Sequence, residues 1–216
     1  REMKEEILKG LQKSLRDYDA EGCVARAKKA VQEGVDPLEA IDALTEVIQE
    51  VGEGFSRGEL FLPDLIAAGA TMAKAMAELT AVLKQKGLER KSLGKVVIGT
   101  VFGDIHSIGK DMVSTLMTAS GFAVHDLGID IKAERFVEAI KQDRPDILAM
   151  SALLTTTAKE QKVVIEALKK EGLRNQVKVI VGGGAIDQSF ATGIGADGYA
   201  STAPEAVILV KSLIGR

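Results

Sequence analysis

Asp104 and His106 stand two residues apart in the segment Gly103-Asp104-Ile105-His106-Ser107-Ile108-Gly109-Lys110. In a loop, that spacing lets both side chains project the same way. The imidazole can then ligate a metal through one nitrogen and donate its other N–H to the carboxylate. The chain has only two histidines and one cysteine. His125 closes a separate apolar run, and Cys23 falls in a helical segment, where it reads as a small core residue. A structural zinc takes about four Cys, His or acidic ligands, and the sequence groups none. One ligating His without companions points to a metal whose other positions a cofactor fills, as a macrocycle would. The plain alternative is a solvated or hydrogen-bonded loop histidine.

Two further segments carry unusual residues: Ser151-Ala152-Leu153-Leu154-Thr155-Thr156-Thr157 and Gly182-Gly183-Gly184. A Ser/Thr run before a helix also serves as a cap. A glycine triplet after a strand serves as a tight turn or cradles a phosphate. No G-x-G-x-x-G follows the first strand and no P-loop is present, so the common dinucleotide and nucleotide fingerprints are missing.

The elements that must position these segments follow from periodicity. Val96–Val101 is a short β-branched apolar run of the kind buried on both faces of a parallel sheet. Similar runs follow at Ala123–Leu127, Ile147–Met150, Val177–Val181 and Gly198–Ala200. Helix-length amphipathic segments lie between and after them, near 108–120, 133–143, 157–171, 186–193 and 203–213. Five strands alternating with five helices specify an α/β fold with a doubly wound, five-stranded parallel sheet. All three unusual segments then fall just after strands, where open α/β sheets bind ligands. Lys110 and Asp111 open the next helix and read as solvated capping residues.

Residues up to about Leu88 read as four helices. Met3, Ile7, Leu8, Leu11 and Leu15 share one helical face, and Val24, Ala27, Ala30 and Val31 suggest a second helix broken near Gly34. Asp36-Pro37-Leu38-Glu39 has the grammar of a helix start, with Asp36 as cap and Glu39 reaching back. That helix is expected to end at the Gly-rich stretch 52–58. Pro63 opens a fourth, whose many alanines allow close packing in a four-helix bundle. A polar linker at 86–94 separates domains at 1–88 and 89–216.

Composition bounds the function further. With 46% hydrophobic and 27% charged residues and a net charge of −3, neither disorder nor a nucleic-acid or membrane-surface partner is indicated. A single cysteine fits a reducing compartment. No apolar run approaches the ~20 residues of a membrane span, and the charged amino terminus lacks the apolar stretch of a signal peptide. The expectation is a soluble, cytoplasmic chain.

Asp104-x-His106-x-x-Gly109, Ser151-x-Leu153 and Gly182-Gly183 together resemble the motif set of cobalamin-binding domains. The segment Gly54-Phe55-Ser56-Arg57-Gly58-Glu59-Leu60-Phe61-Leu62-Pro63-Asp64-Leu65 resembles the helical cap that accompanies them. The resemblance spans essentially the whole chain. It is strongest to the corrinoid proteins of anaerobic methyltransferase systems and to the cobalamin-binding module of methionine synthase.

The resemblance implies a four-helix-bundle cap followed by a Rossmann-like, flavodoxin-like domain. It implies cobalamin or a related corrinoid, bound base-off with His106 as the lower cobalt ligand and Asp104 and Thr157 continuing a proton relay. Thr157 stands where the methionine synthase pattern has Ser. Gly103, Ser107, Ile108 and Gly109 would flank the ligand. A nucleotide tail would pass Ser151, Leu153, Thr155, Gly182 and Gly183, with Tyr199 to Ala203 bordering its base. Phe55, Leu62 and Leu65 match cap positions against the methyl group, and the Gly52–Gly58 stretch and the linker would let the cap move. The implied activity is a methyl carrier that accepts a methyl group on Co(I) from a donor-specific methyltransferase. It would pass that group from methyl-Co(III) to an acceptor methyltransferase serving tetrahydrofolate or a thiol, with a reductive activator as a third partner. The alternatives are a cobalamin-dependent regulator or a mutase subunit. A mutase needs a substrate barrel and normally lacks the cap. A regulator adds a signalling module, for which these residues leave no segment, and light-sensing caps commonly carry a Trp, absent here.

Overall fold

The computed structural model describes residues 2–215; Arg1 and Arg216, the outer ends of the two expected domains, lie outside the described residues. Among the described residues the chain forms nine α-helices, one 3-10 turn and five strands. It divides into two compact units, one holding the residues through Lys91 with Thr118–Ser120, the other Ser92–Met117 with the residues from Gly121 onward.

The first unit contains α1 (Glu2–Arg16), α2 (Ala20–Gln32), α3 (Pro37–Ser56) and α4 (Leu62–Lys86). Leu11, Leu15, Cys23, Ala27, Leu44, Val47, Leu65, Ala68 and Leu79 are buried together as its core. Asp36 caps α3 by accepting the Leu38 N–H. Glu39 does not reach back; its carboxylate takes Lys4 Nζ of α1 at 2.8 Å. An ion pair between helices has replaced the second half of the expected capping box. α3 also runs through Gly52 and Gly54 to Ser56. Gly54 is buried where a Cβ would come within 2.9 Å of Leu60 Cδ1, so glycine here serves close packing, not chain termination. By length and composition alone α4 could cross a membrane. Its buried residues Leu65, Ala68, Met72, Ala75, Leu79 and Leu83 recur every three or four positions, the one-sided pattern of a bundle's core helix.

The second unit contains β1 (Lys95–Thr100), α5 (Ile108–Ala119) as far as Met117, β2 (Ala123–Asp126), α6 (Ala133–Asp143), β3 (Ile147–Ser151), α7 (Thr155–Lys170), β4 (Lys178–Gly182), α8 (Gln188–Ile194), β5 (Gly198–Tyr199) and α9 (Ala203–Leu213). The strands pair in parallel in the order β2-β1-β3-β4-β5. Val97, Leu148, Met150, Val179 and Val181 pack with Phe136, Ile140, Ile165 and Leu168 of α6 and α7 in one core. The alternate residues Val96, Ile98, Ile147, Ala149 and Ile180 are buried too. Period-2 alternation puts them on the other face, so the sheet is covered on both sides. Chain order reverses between β1 and β3, and such switch points form ligand crevices at strand carboxyl ends.

Candidate functional site

The carboxyl ends of β1 and β3 bring Asp104, His106, Leu153 and Thr157 together. Asp104 is 1% exposed, and both its oxygens are engaged. Oδ1 accepts the His106 backbone N–H at 3.0 Å and faces His106 Nδ1 at 2.8 Å. Oδ2 accepts the Leu153 N–H at 2.8 Å and the Thr157 hydroxyl at 2.7 Å. Burial pushes the Asp104 carboxyl upward. The hydrogen bonds from Thr157, the two backbone N–H groups and the imidazole outweigh it and hold the group well below the usual carboxylate range. An ionised Asp104 can only accept, so Nδ1 carries the proton of a neutral His106. The Nε2 lone pair is left free, and no described residue takes it; the His106 side chain is 49% exposed. This tautomer is the one a metal-ligating imidazole needs.

Backbone contacts fix the loop. His106 O accepts the Thr100 hydroxyl at 2.9 Å, and Asp130 Oδ1 accepts the Gly103 N–H at 2.7 Å while the Asp130 N–H reaches Asp104 O at 3.0 Å. Gly103 has a φ of +79°, which favours glycine. Thr100 and Asp130 are functional neighbours that sequence reasoning missed; an Asp 26 residues beyond its partner carries no local signal.

The glycine triplet resolves as close backbone approach. A Cβ on Gly183 (φ +126°) would lie 1.8 Å from Ala152 O, and one on Gly182 would lie 2.9 Å from Ala200 O. The end of β4 therefore runs hard against the residues after β3 and β5. Gly109 differs: it is exposed in the first turn of α5, its φ is not positive, and a Cβ there would meet nothing within 4 Å. Among the described residues nothing requires glycine at that position.

Ser107 is half-buried before α5, Ser151 half-buried at the end of β3, and Thr155 exposed at the start of α7. Ile108 is 60% and Leu153 41% exposed. They share this end of the sheet with exposed Phe102, Ile105, Ile129 and Leu154, four apolar residues the sequence reading did not single out. Large apolar side chains on the loops after β1, β2 and β3 make a rim suited to an apolar-edged ligand. Tyr199 ends β5 half-buried, and Ala203 is buried at the start of α9 behind the Thr202 cap. In the first unit Phe55 and Leu62 are half-buried, while Leu65 lies wholly within that unit's core.

Lys110 is not a solvated capping residue. It is 4% exposed, with Nζ 2.6 Å from both Asp111 Oδ1 and Asp126 Oδ2, and it ties α5 to the end of β2. His125 pairs with Asp143, away from the His106 cluster. Among the described residues no three His, Cys, Asp or Glu side chains form a metal-holding group. Any metal at His106 must therefore bring its other ligands with it.

Residues 94–208 match the family model of the B12 binding domain, and residues 7–80 match a second B12 binding domain model. The chain is 43% identical over 212 residues to trimethylamine corrinoid protein 1 of Methanosarcina acetivorans, covering 98% of each. Among solved structures it is similar to the methanol:cobalamin methyltransferase complex MtaBC from Methanosarcina barkeri, with TM-score 0.75 and 29% identity over 97% of this chain and 80% of that one. A cobalamin-binding protein from Desulfitobacterium hafniense matches with TM-score 0.58 and 33% identity over 95% and 98% of the two chains. The chain belongs to the B12-binding family, within its corrinoid proteins.

Proposed function

We propose that the protein is a methyl carrier that binds a corrinoid base-off, with His106 Nε2 as the lower cobalt ligand. The observation that carries this reading is the Asp104–His106 pair: a buried carboxylate that fixes the imidazole tautomer and leaves one exposed, unclaimed nitrogen. The residues present suit such a cofactor. The donor set offers a single nitrogen, Gly109 leaves open space beside it, and the exposed apolar side chains supply a rim. A bound corrinoid supplies a cobalt that takes up a methyl group when reduced to Co(I) and yields it to an acceptor from the oxidised state.

The chain's own contribution is to position and protonate. Asp104 orients the ring, and Thr157 and two backbone N–H groups hold Asp104. When His106 is not ligated, Nε2 can take a proton and the adjacent carboxylate stabilises the imidazolium. Ser151, Leu153, Thr155, Gly182, Gly183 and the Tyr199–Ala203 segment are the proposed path of the nucleotide tail. Phe55 and Leu62 are the proposed apolar cover for the methyl group; Leu65 supports it from within the helical core. A donor-specific methyltransferase, an acceptor methyltransferase acting on tetrahydrofolate or a thiol, and a reductive activator are the proposed partners. The trimethylamine relative and the MtaBC complex support a partner enzyme that activates the donor.

The test is reconstitution of the full chain with hydroxocobalamin followed by gel filtration and a methyl-transfer assay from methylamines. Stoichiometric corrinoid retention with no transfer until a methyltransferase is added is expected. Transfer by the chain alone would overturn the carrier assignment, and failure to retain corrinoid would overturn the cofactor.

A further inference from the structure

The end of β2 and the loop that follows it grip both ends of the segment carrying His106. At the start of that segment, Asp130 Oδ1 accepts the Gly103 N–H at 2.7 Å and the Asp130 N–H donates to Asp104 O at 3.0 Å. At its far end, Lys110 Nζ reaches Asp126 Oδ2 at 2.6 Å, and Asp126 Oδ1 accepts the Gly128 N–H at 2.9 Å. The loop is itself fastened to β1: the Thr100 N–H donates to Gly128 O at 2.9 Å and the Ile131 N–H to Thr100 O at 3.0 Å. Asp130 holds a φ of +54°, backbone that is uncommon outside glycine and that persists where the surroundings over-determine it. The His106 ring is half exposed, and among the described residues it bonds to Asp104. The place of Nε2 therefore follows the place of Asp104, whose carbonyl Asp130 holds.

We propose that Asp130 is a positioning residue for the lower ligand. By bracing Gly103 and Asp104 it keeps His106 Nε2 where it can ligate cobalt, and so favours the ligated over the unligated form. This rests on the corrinoid reading above. Asp130 makes no bond to the imidazole; it acts through the backbone of the two residues that open the loop.

The test compares Asp130→Gly with Asp130→Asn. Glycine suits the positive φ and removes the acceptor; asparagine tolerates the same backbone and keeps it. Both variants lose the charge, so the difference between them isolates the acceptor. The full chains are reconstituted with hydroxocobalamin and titrated spectroelectrochemically through the Co(II)/Co(I) couple. Four-coordinate Co(I) has no lower ligand, so weaker ligation of Co(II) raises the midpoint. Loss of one exposed hydrogen bond should weaken ligation about 3- to 10-fold. At 59 mV per tenfold for one electron, the glycine variant should lie about 30–60 mV above the asparagine variant. Where ligation is incomplete, it should also show a smaller nitrogen-split fraction in the Co(II) paramagnetic resonance spectrum. Coincident midpoints and coincident spectra would overturn the proposal. A second measurement needs no corrinoid. By NMR of the corrinoid-free chains, the Gly103 amide should exchange with solvent about 3- to 10-fold faster in the glycine variant than in the asparagine variant; equal exchange overturns the brace. Wild-type protein that retains no corrinoid overturns the corrinoid reading and the proposed role in ligation with it. Retained corrinoid with histidine-dependent splitting and coincident variants overturns the role of Asp130 alone.

Discussion

Replacing Asp104 by Asn keeps the shape of the side chain and exchanges one of its two acceptors for a donor. Four hydrogen bonds converge on Asp104, two at each oxygen. If the new amide lies on the Oδ1 side, it faces two donors. The imidazole can adapt by moving its proton to Nε2, but the His106 backbone N–H stays without an acceptor. If the amide lies on the Oδ2 side, the Thr157 hydroxyl can turn and accept, but the Leu153 N–H is stranded. Either way one part-buried backbone donor is left unpaired and the charge-assisted bonds become neutral. The cost is about 2–3 kcal/mol. Urea unfolding of the corrinoid-free chain, followed by circular dichroism and fitted to separate transitions because two units are present, would show the loss in the transition of the α/β unit. A variant within about 0.5 kcal/mol of wild type, the scatter of ordinary surface changes, would refute the claim that this carboxylate holds the loop. Thr157→Val should lose part of the same stability and Thr157→Ser little of it.

Lys110→Met removes the cation shared by Asp111 and Asp126 and should destabilise the α/β unit by about 1.5–3 kcal/mol; an unchanged urea midpoint would show that the pair is inert. Gly183→Ala sets a Cβ against Ala152 O in a left-handed backbone and should cost about 3 kcal/mol or more, visible as lost corrinoid-free stability. Cys23 is fully buried and burial pushes its thiol upward. It should resist alkylation at pH 8 in the native chain and react fully in guanidinium; rapid native labelling contradicts this.

The doubly wound sheet was legible because its central strands β1, β3 and β4 are mostly apolar and its helices amphipathic, and the local Asp104–His106 pair was legible because two residues suffice to place it. The end of α3 was misplaced because Gly52 and Gly54 look like a break, while the burial of both, and the packing of Gly54 against Leu60, are tertiary facts. Lys110 read as solvated because its partner Asp126 stands 16 residues away at the end of β2. Asp130 was silent for the same reason: its bonds are to backbone groups that only the sheet's register brings near.

The central claim, ligation through His106 Nε2, is tested most directly by electron paramagnetic resonance of the chain reconstituted with hydroxocobalamin and reduced to Co(II). Wild-type protein should show nitrogen hyperfine splitting that changes when its histidines carry nitrogen-15, and His106→Ala should lose it. A fully loaded wild-type protein whose spectrum is indifferent to histidine labelling would contradict the account.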